Sequence, residues 1–193
     1  PFLEYTFREE DGEEDGDKDK KNFLYKCGVR KEEGVSRFCV LKKRACSSFL
    51  YPDYNVISSS GYRPVRNYYL RYFKDVICRR LESILNEHAE SFDFIISDCQ
   101  GLDGEVIESL GDYLTKDIIG LHIELWNKPF YKNIVLFDTV NENLKLQGFF
   151  PVREMRRRSK GIYFNDYLYL RIDSNKRDKI DFIADIYNVD IGD

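Results

Sequence analysis

Four polar residues stand just after, or within, apolar runs, where they could do chemistry. Asp98 directly follows the apolar run 92–97, and Gln100 comes two residues later. His122 and Glu124 interrupt the apolar run 118–126. Residues two apart on a strand share a face, so the carboxylate of Glu124 could orient or charge the imidazole of His122. The pair therefore indicates acid–base chemistry beside the acid and amide that follow residue 97.

Each of these residues also has a purely structural interpretation. Asp98 could cap a helix, although Asp103 stands directly before the predicted helix and is the more natural cap. A lone histidine such as His122 is commonly a core residue. Trp126, at the end of the same run, could line a substrate pocket or simply pack in the core. The sequence leaves these alternatives open.

The elements that would position these residues alternate between strand and helix patterns. Strands are predicted at 23–29, 35–41, 67–77, 92–97, 118–126, 149–154 and 161–172, the first two as a hairpin. Helices are predicted at 80–90, 134–146 and 178–187, with a further one that starts after Asp103 and ends near Gly111 and Asp112, and a long loop is predicted at 45–62. This alternation predicts an α/β fold with a mostly parallel sheet, helices on both faces and one antiparallel edge strand. Ligands bind at the carboxyl ends of such strands, which is where residues 98–101 lie.

Composition bounds the class of protein. The 193 residues carry a net charge of -4, with 42% hydrophobic and 33% charged residues, as in ordinary globular proteins. No apolar run approaches the ~20 residues of a membrane-spanning helix. The acidic balance disfavours a globally basic nucleic-acid binder. Five scattered cysteines without a C-x-x-C pair predict reduced thiols and neither a zinc site nor disulfides, which favours an intracellular, cytoplasmic location.

The N-terminal part of the sequence differs in character from the rest. Residues 8–21 form a run of charges without apolar periodicity, so residues 1–21 are predicted to be a flexible segment and residues 22–193 the folded α/β domain. Because the first residue is Pro1 rather than Met, we also expect that an N-terminal portion is missing.

Residues 91–110 (SFDFIISDCQGLDGEVIESL) carry a specific resemblance. They resemble the central motif of FkbM-type methyltransferases, which use S-adenosylmethionine: an apolar strand, Asp-x-Gln/Glu-Gly, an acidic residue, then Glu-Val-Leu. Further pieces match in order and approximate spacing, at 27–29, 46–52, 123–124 with Tyr131, 144–149 and 165–171. The resemblance spans roughly residues 22–172.

The resemblance implies a Rossmann-like sheet and methyl transfer from S-adenosylmethionine to a hydroxyl oxygen of a small molecule or sugar. Asp98 would position the acceptor hydroxyl or the sulfonium side of the cofactor, His122 would be the base and Glu124 would orient it. The cofactor contacts implied by position are Cys27 and Gly28 on the adenine side, Ser47 and Ser48 on a closing loop, and Gln100.

The sequence also departs from the family pattern. No glycine-rich loop follows a first strand, and no acidic residue follows a second one to hold the ribose. Either a missing segment or a second chain completes the N-terminal end of the fold, or the domain is a degenerate, non-catalytic binding module. A basic cluster at 153–160, with Arg156 and Arg158, is either a solvated face or a site for a phosphate-bearing acceptor or nucleic-acid partner.

Overall fold

The structure is a computed structural model that describes residues 25–87, 92–155, 163–172 and 175–192. Two predictions lie outside the described residues. They are the charged segment 1–21 and the candidate anion-binding pair Arg156 and Arg158. The described residues form a mixed α/β structure with two sheets.

A three-stranded sheet is built from β1 (Gly28–Val29), β2 (Gly34–Leu41) and β3 (Leu70–Arg79). Its order is β1-β3-β2, with β2 antiparallel and β1 parallel to β3. The predicted hairpin between the first two strands is therefore wrong, because both pair with β3 instead. The physical reason is ladder length: β2 has eight residues and β3 has ten, whereas β1 offers only two.

A four-stranded sheet carries the residues of chemical interest. It consists of β4 (Phe94–Ser97), β5 (Gly120–Trp126), β6 (Phe150–Met155) and β7 (Phe164–Leu170), in the order β4-β5-β7-β6. Only β4 and β5 pair in parallel, since β7 is antiparallel to both of its neighbours. The prediction of a mostly parallel sheet with an antiparallel strand at its edge is wrong. Too few residues separate β6 from β7 for a parallel crossover, so β7 returns antiparallel and inserts beside β5.

Helices follow most of the strands. They are α1 (Tyr54–Ser59), α2 (Leu81–Leu85), α3 (Asp103–Glu108), α4 (Tyr113–Lys116), α5 (Phe137–Leu146) and α6 (Arg177–Tyr187). Two short 3-10 helices lie at Arg44–Cys46 and Val65–Tyr68. Helix α1 falls inside the predicted loop 45–62, where Asp53 caps it by accepting from the backbone N–H groups of Asn55 and Val56.

The core has two layers because both faces of the four-stranded sheet are covered, as predicted. On one face Leu121, Ile123 and Leu125 pack against side chains of α2, α3, α4 and α5. On the other face α6 packs its apolar stripe against Leu168 and Leu170 of β7. No helix among the described residues is long and apolar enough to cross a membrane.

A charged contact joins the three-stranded sheet to α3. The Arg30 guanidinium donates from Nε to Glu105 Oε1 at 2.6 Å and from Nη2 to Oε2 at 3.2 Å. The same guanidinium lies 5.4 Å from the ring centroid of Phe49. Such a two-pronged pair fixes direction as well as distance, so it sets where the loop around Phe49 lies relative to the end of β4.

Candidate active site

The chain turns sharply between the end of β4 and the start of α3. Gln100 and Gly101 both adopt positive φ, at 51° and 93°. A Cβ on Gly101 would lie 2.7 Å from Ile134 Cδ1, so the neighbouring loop packs directly on the glycine. From the other side the Ser48 hydroxyl donates to the Gln100 carbonyl at 3.0 Å. Ile134 and Ser48 therefore hold the turn from two sides, and the turn fixes the direction of the Gln100 side chain.

Replacing Gly101 by Ala should lower the free energy of unfolding by about 1–3 kcal/mol, because an L-residue at that φ is strained. Urea denaturation of both proteins measures the change. In an Ile134→Val background the contact with Cδ1 disappears while the strained φ remains, so most of the loss should persist there. Full rescue by Ile134→Val would show that the packing, and not the backbone, requires glycine.

The Gln100 amide bridges two carboxylates from adjacent parallel strands. Its Nε2 donates to Asp98 Oδ1 at 2.8 Å and to Glu124 Oε1 at 3.2 Å. Glu124 Oε1 also accepts from Trp126 Nε1 at 3.1 Å. Asp98 is exposed, whereas Glu124 is fully buried. The structure thus brings Asp98, Gln100 and Glu124 into one hydrogen-bonded site that begins in the core and ends at the surface.

The wall behind Glu124 is aromatic and uncharged. Burial, followed by the neighbouring Tyr68, Cys46 and Glu124, raises the pKa of Tyr131 well above its ordinary value. Its protonated hydroxyl donates to the Cys46 carbonyl at 2.7 Å. The tyrosine therefore stays neutral, and the acidic groups of the site are its two carboxyl side chains. Such a site suits a hydroxyl donor or a cationic group at its exposed end.

His122 shares a face of β5 with Glu124, as predicted, but its hydrogen bond goes elsewhere. Its Nδ1 lies 2.9 Å from the hydroxyl of Tyr187 on α6, and the two rings meet edge to face. The hydrogen bonds described above direct Glu124 to Gln100 and Trp126. Tyr187 lies at the end of the last helix predicted from the sequence, at 178–187. The role of His122 as a base stays a prediction, with Tyr187 as its contact.

Two of the residues expected near a cofactor lie at the three-stranded sheet, Gly28 in β1 and Cys27 directly before it. A Cβ on Gly28 would lie 2.5 Å from Phe49 Cζ and 2.9 Å from Cys78 Sγ. Cys27 is buried, and burial raises the pKa of its thiol. Protein side chains fill the space beside Gly28, so the expected adenine contact at Cys27 and Gly28 draws no support from the geometry.

The hydroxyls of Ser47 and Ser48 are buried and make hydrogen bonds within the protein. Ser47 Oγ accepts from the backbone N–H of Leu41 at 3.0 Å, and Ser48 Oγ accepts from that of Leu50 at 3.2 Å. Trp126 is also buried, and its ring centroid lies 4.5 Å from that of Phe164. Its indole N–H donates to Glu124. Ser48 contacts the site at the Gln100 carbonyl and Trp126 contacts it at Glu124, whereas Ser47 contacts the backbone of Leu41.

Asp103 is a buried carboxylate that the sequence favours as a helix cap. In the structure Leu102 is the cap position and Asp103 is the first residue of α3. Its Oδ1 accepts from the Ser97 hydroxyl at 2.6 Å and from the Cys99 N–H at 3.0 Å. Burial raises the pKa of Asp103 to about 6. Burial and the charge of Asp103 raise the pKa of Cys99 to about 12, so that thiol stays protonated.

The part of the chain that the structure describes contains no preformed metal-binding site. No group of three or more His, Cys, Asp or Glu side chains there could hold an ion. The candidate site is therefore made of hydrogen-bonding and charged side chains.

Comparison with known families gives a match. The model described as "Methyltransferase FkbM domain" matches residues 15–151, which is more than half of the chain. The matched interval contains Asp98, Gln100 and Glu124, together with the loop that carries Ser48. Comparisons with curated proteins and with solved structures found no match.

Proposed function

This chain belongs to the FkbM methyltransferase family, and we propose that it transfers the methyl group of S-adenosylmethionine to a hydroxyl oxygen within a Rossmann-like fold. The observation that carries the proposal is the bridge from Gln100 to Asp98 and Glu124. It lies at the carboxyl ends of two adjacent parallel strands, which is the position where ligands bind in open α/β sheets.

The exposed end of this site fits the reactive part of S-adenosylmethionine. When bound, that cofactor supplies an electrophilic methyl group on a positively charged sulfur. A carboxylate near the surface stabilises such a charge, and Asp98 is the carboxylate in that position. Gln100 holds Asp98 from the side, while buried Glu124 fixes Gln100.

Methyl transfer to oxygen needs a positioned hydroxyl and a proton acceptor. The bound cofactor would supply the methyl group and its sulfur would keep the electron pair of the carbon–sulfur bond, while the acceptor hydroxyl would give its proton to a base. Asp98 would accept the hydrogen bond of that hydroxyl and orient it. Asp98 is also the candidate base nearest the surface, and His122 beside Tyr187 is the second candidate.

A non-catalytic binding module is the second candidate function. One observation favours it: Gly28, Ser47 and Ser48, expected to contact a cofactor, are occupied by contacts within the protein. Such a module would recognise a phosphate-bearing or nucleic-acid partner without turning over S-adenosylmethionine.

Titration calorimetry with S-adenosylmethionine distinguishes the two functions. We expect saturable binding of the cofactor and of its demethylated product. We also expect transfer of a labelled methyl group to a hydroxyl compound, giving an ether that resists mild base. A folded chain that binds neither compound would contradict the enzymatic proposal and favour the module.

A further inference from the structure

One region of this acidic chain is strongly basic. Residues 35–79 contain nine Lys and Arg but only two Asp, although the whole chain has a net charge of -4. One of the two, Asp53, is engaged as the cap of α1. The excess of positive charge therefore belongs to β2, β3 and the loops between them.

The cations of this region face solvent. All of the following are exposed and form no ion pair with another described residue: Arg37, Lys42, Lys43, Arg44, Arg63, Arg66 and Arg71. Elsewhere the exposed cations commonly pair with acids, as Lys31 does with Glu108 at 2.8 Å. A cluster of cations without acidic partners leaves a positive potential that attracts polyanions.

Aromatic side chains form a continuous strip among these cations. We define the aromatic strip as Tyr69, Tyr54, Tyr51 and Phe73, whose successive ring centroids lie 6.1, 5.8 and 6.4 Å apart. Arg37 lies 5.2 Å from the Phe73 centroid and Lys132 lies 5.5 Å from that of Tyr51. Two rings of the strip are well exposed, Tyr69 at 54% and Phe73 at 45%.

The strip is accessible from the side as well as from the front. Strand β1 pairs with β3 only at Cys78 and Arg79, so the edge of β3 opposite β2 carries no other paired strand among the described residues. Tyr72, 54% exposed, lies along that stretch. Aromatic faces beside a cationic track are the features with which proteins hold unpaired bases and their phosphates.

We propose that the aromatic strip and its surrounding cations bind single-stranded nucleic acid. Bases stack on Tyr69 and Phe73, and phosphates contact Arg37, Arg66 and Arg71. A duplex would hide its base faces from the strip, and a sulfated glycan would engage the charges without using the rings as base platforms. This surface does not depend on methyl transfer.

The surface also borders the candidate active site. The backbone N–H of Lys132 donates to the Tyr51 carbonyl at 2.8 Å, and Pro52 pairs with Tyr131. Tyr131 in turn lies beside Gly101, because a Cβ added to Gly101 would lie 3.4 Å from Tyr131 Cδ2. One loop thus contacts both the strip and the turn after β4.

Fluorescence anisotropy with a labelled 12-nucleotide oligouridine tests the proposal. We expect binding whose log–log salt dependence has a slope of about -0.7 for each phosphate contacted. Arg37→Ala with Arg71→Ala should make the slope shallower by about 1.4. Tyr69→Ala with Phe73→Ala should weaken binding about tenfold or more with little change in slope, since each stacked base contributes roughly 1–3 kcal/mol.

Control variants distinguish binding of single strands at the aromatic strip from a general attraction of polyanions. Lys116→Ala with Lys145→Ala, on α4 and α5, removes two exposed cations outside the region and should leave affinity unchanged. Tyr69→Phe keeps the aromatic ring and should keep the affinity for the oligonucleotide. If Tyr69→Ala with Phe73→Ala does not fold, Tyr69→Leu takes its place. Equal affinity for a duplex or a heparin fragment of matched length would overturn the proposal. So would salt-independent binding, no binding, or unchanged affinity in the folded aromatic variants.

Discussion

Replacing Asp98 by Asn should lower the rate of methyl transfer by about 100-fold or more and leave the fold intact. The amide oxygen of Asn can still accept the hydrogen bond that Gln100 Nε2 gives to Asp98 Oδ1 at 2.8 Å. The variant therefore removes the charge and the proton acceptor while keeping the local geometry. Because Asp98 is exposed, the free energy of unfolding should change by less than about 0.5 kcal/mol.

Initial rates with labelled cofactor, calorimetric affinity for S-adenosylmethionine and thermal unfolding together check this expectation. Asp138→Asn, an exposed acid in the first turn of α5, is the matched control and should keep full activity. If Asp98 faces the sulfonium, cofactor affinity falls with the rate. If it holds the acceptor hydroxyl, the rate falls alone. Wild-type activity and affinity in Asp98→Asn would remove Asp98 from the site.

Local patterns in the sequence were sufficient to predict the elements that carry the site. The apolar run before Asp98 forms β4, and the run 118–126 contains β5 at Gly120–Trp126. The last helix was predicted at 178–187 and lies at Arg177–Tyr187. These elements follow from apolar periodicity and from chain-breaking residues, which act over a few positions.

Pairing between distant segments could not be predicted in the same way. Periodicity does not say which edge of β3 a strand will choose, so β1 and β2 were joined as a hairpin. Glu124 was assigned to His122 because the two lie close in sequence, whereas the structure brings Gln100 to it from the neighbouring strand. Ser48 reaches the Gln100 carbonyl from 52 positions away. Such contacts follow from tertiary packing, which leaves no local signal.

The burial of Asp103 could not be predicted from the local sequence either. Its position directly before a predicted helix indicates a cap, because Asp is among the preferred capping residues. In the structure its exposed fraction is only 1%, and its Oδ2 has no hydrogen-bond partner among the described residues. An acid in this environment is destabilised when it ionises, and that has a measurable consequence.

The free energy of unfolding should contain a term that falls by about 2 kcal/mol as pH rises from 4.5 to 7.5, caused by Asp103. Burial raises its pKa from 3.8 to about 6 in the folded chain. Between these two values the folded state binds more protons than the unfolded state, so stability decreases with rising pH and becomes level above the folded pKa. Urea denaturation across this pH range gives the total dependence, to which other carboxylates also contribute.

Asp103→Asn isolates the term, because only the titrating group is removed. In Asp103→Asn the amide nitrogen replaces a buried oxygen that has no hydrogen-bond partner in the described structure, which lowers the free energy of unfolding by about 1–3 kcal/mol. The stability of the variant at neutral pH is therefore not the quantity to compare. The difference between wild type and variant should instead change with pH by about 2 kcal/mol in favour of the variant at high pH. Ser97→Ala removes a hydrogen bond that lowers the pKa of Asp103, so it should extend the pH dependence upward. Parallel pH profiles for wild type and Asp103→Asn would mean that the Asp103 carboxyl keeps its ordinary pKa and is hydrated in the folded protein.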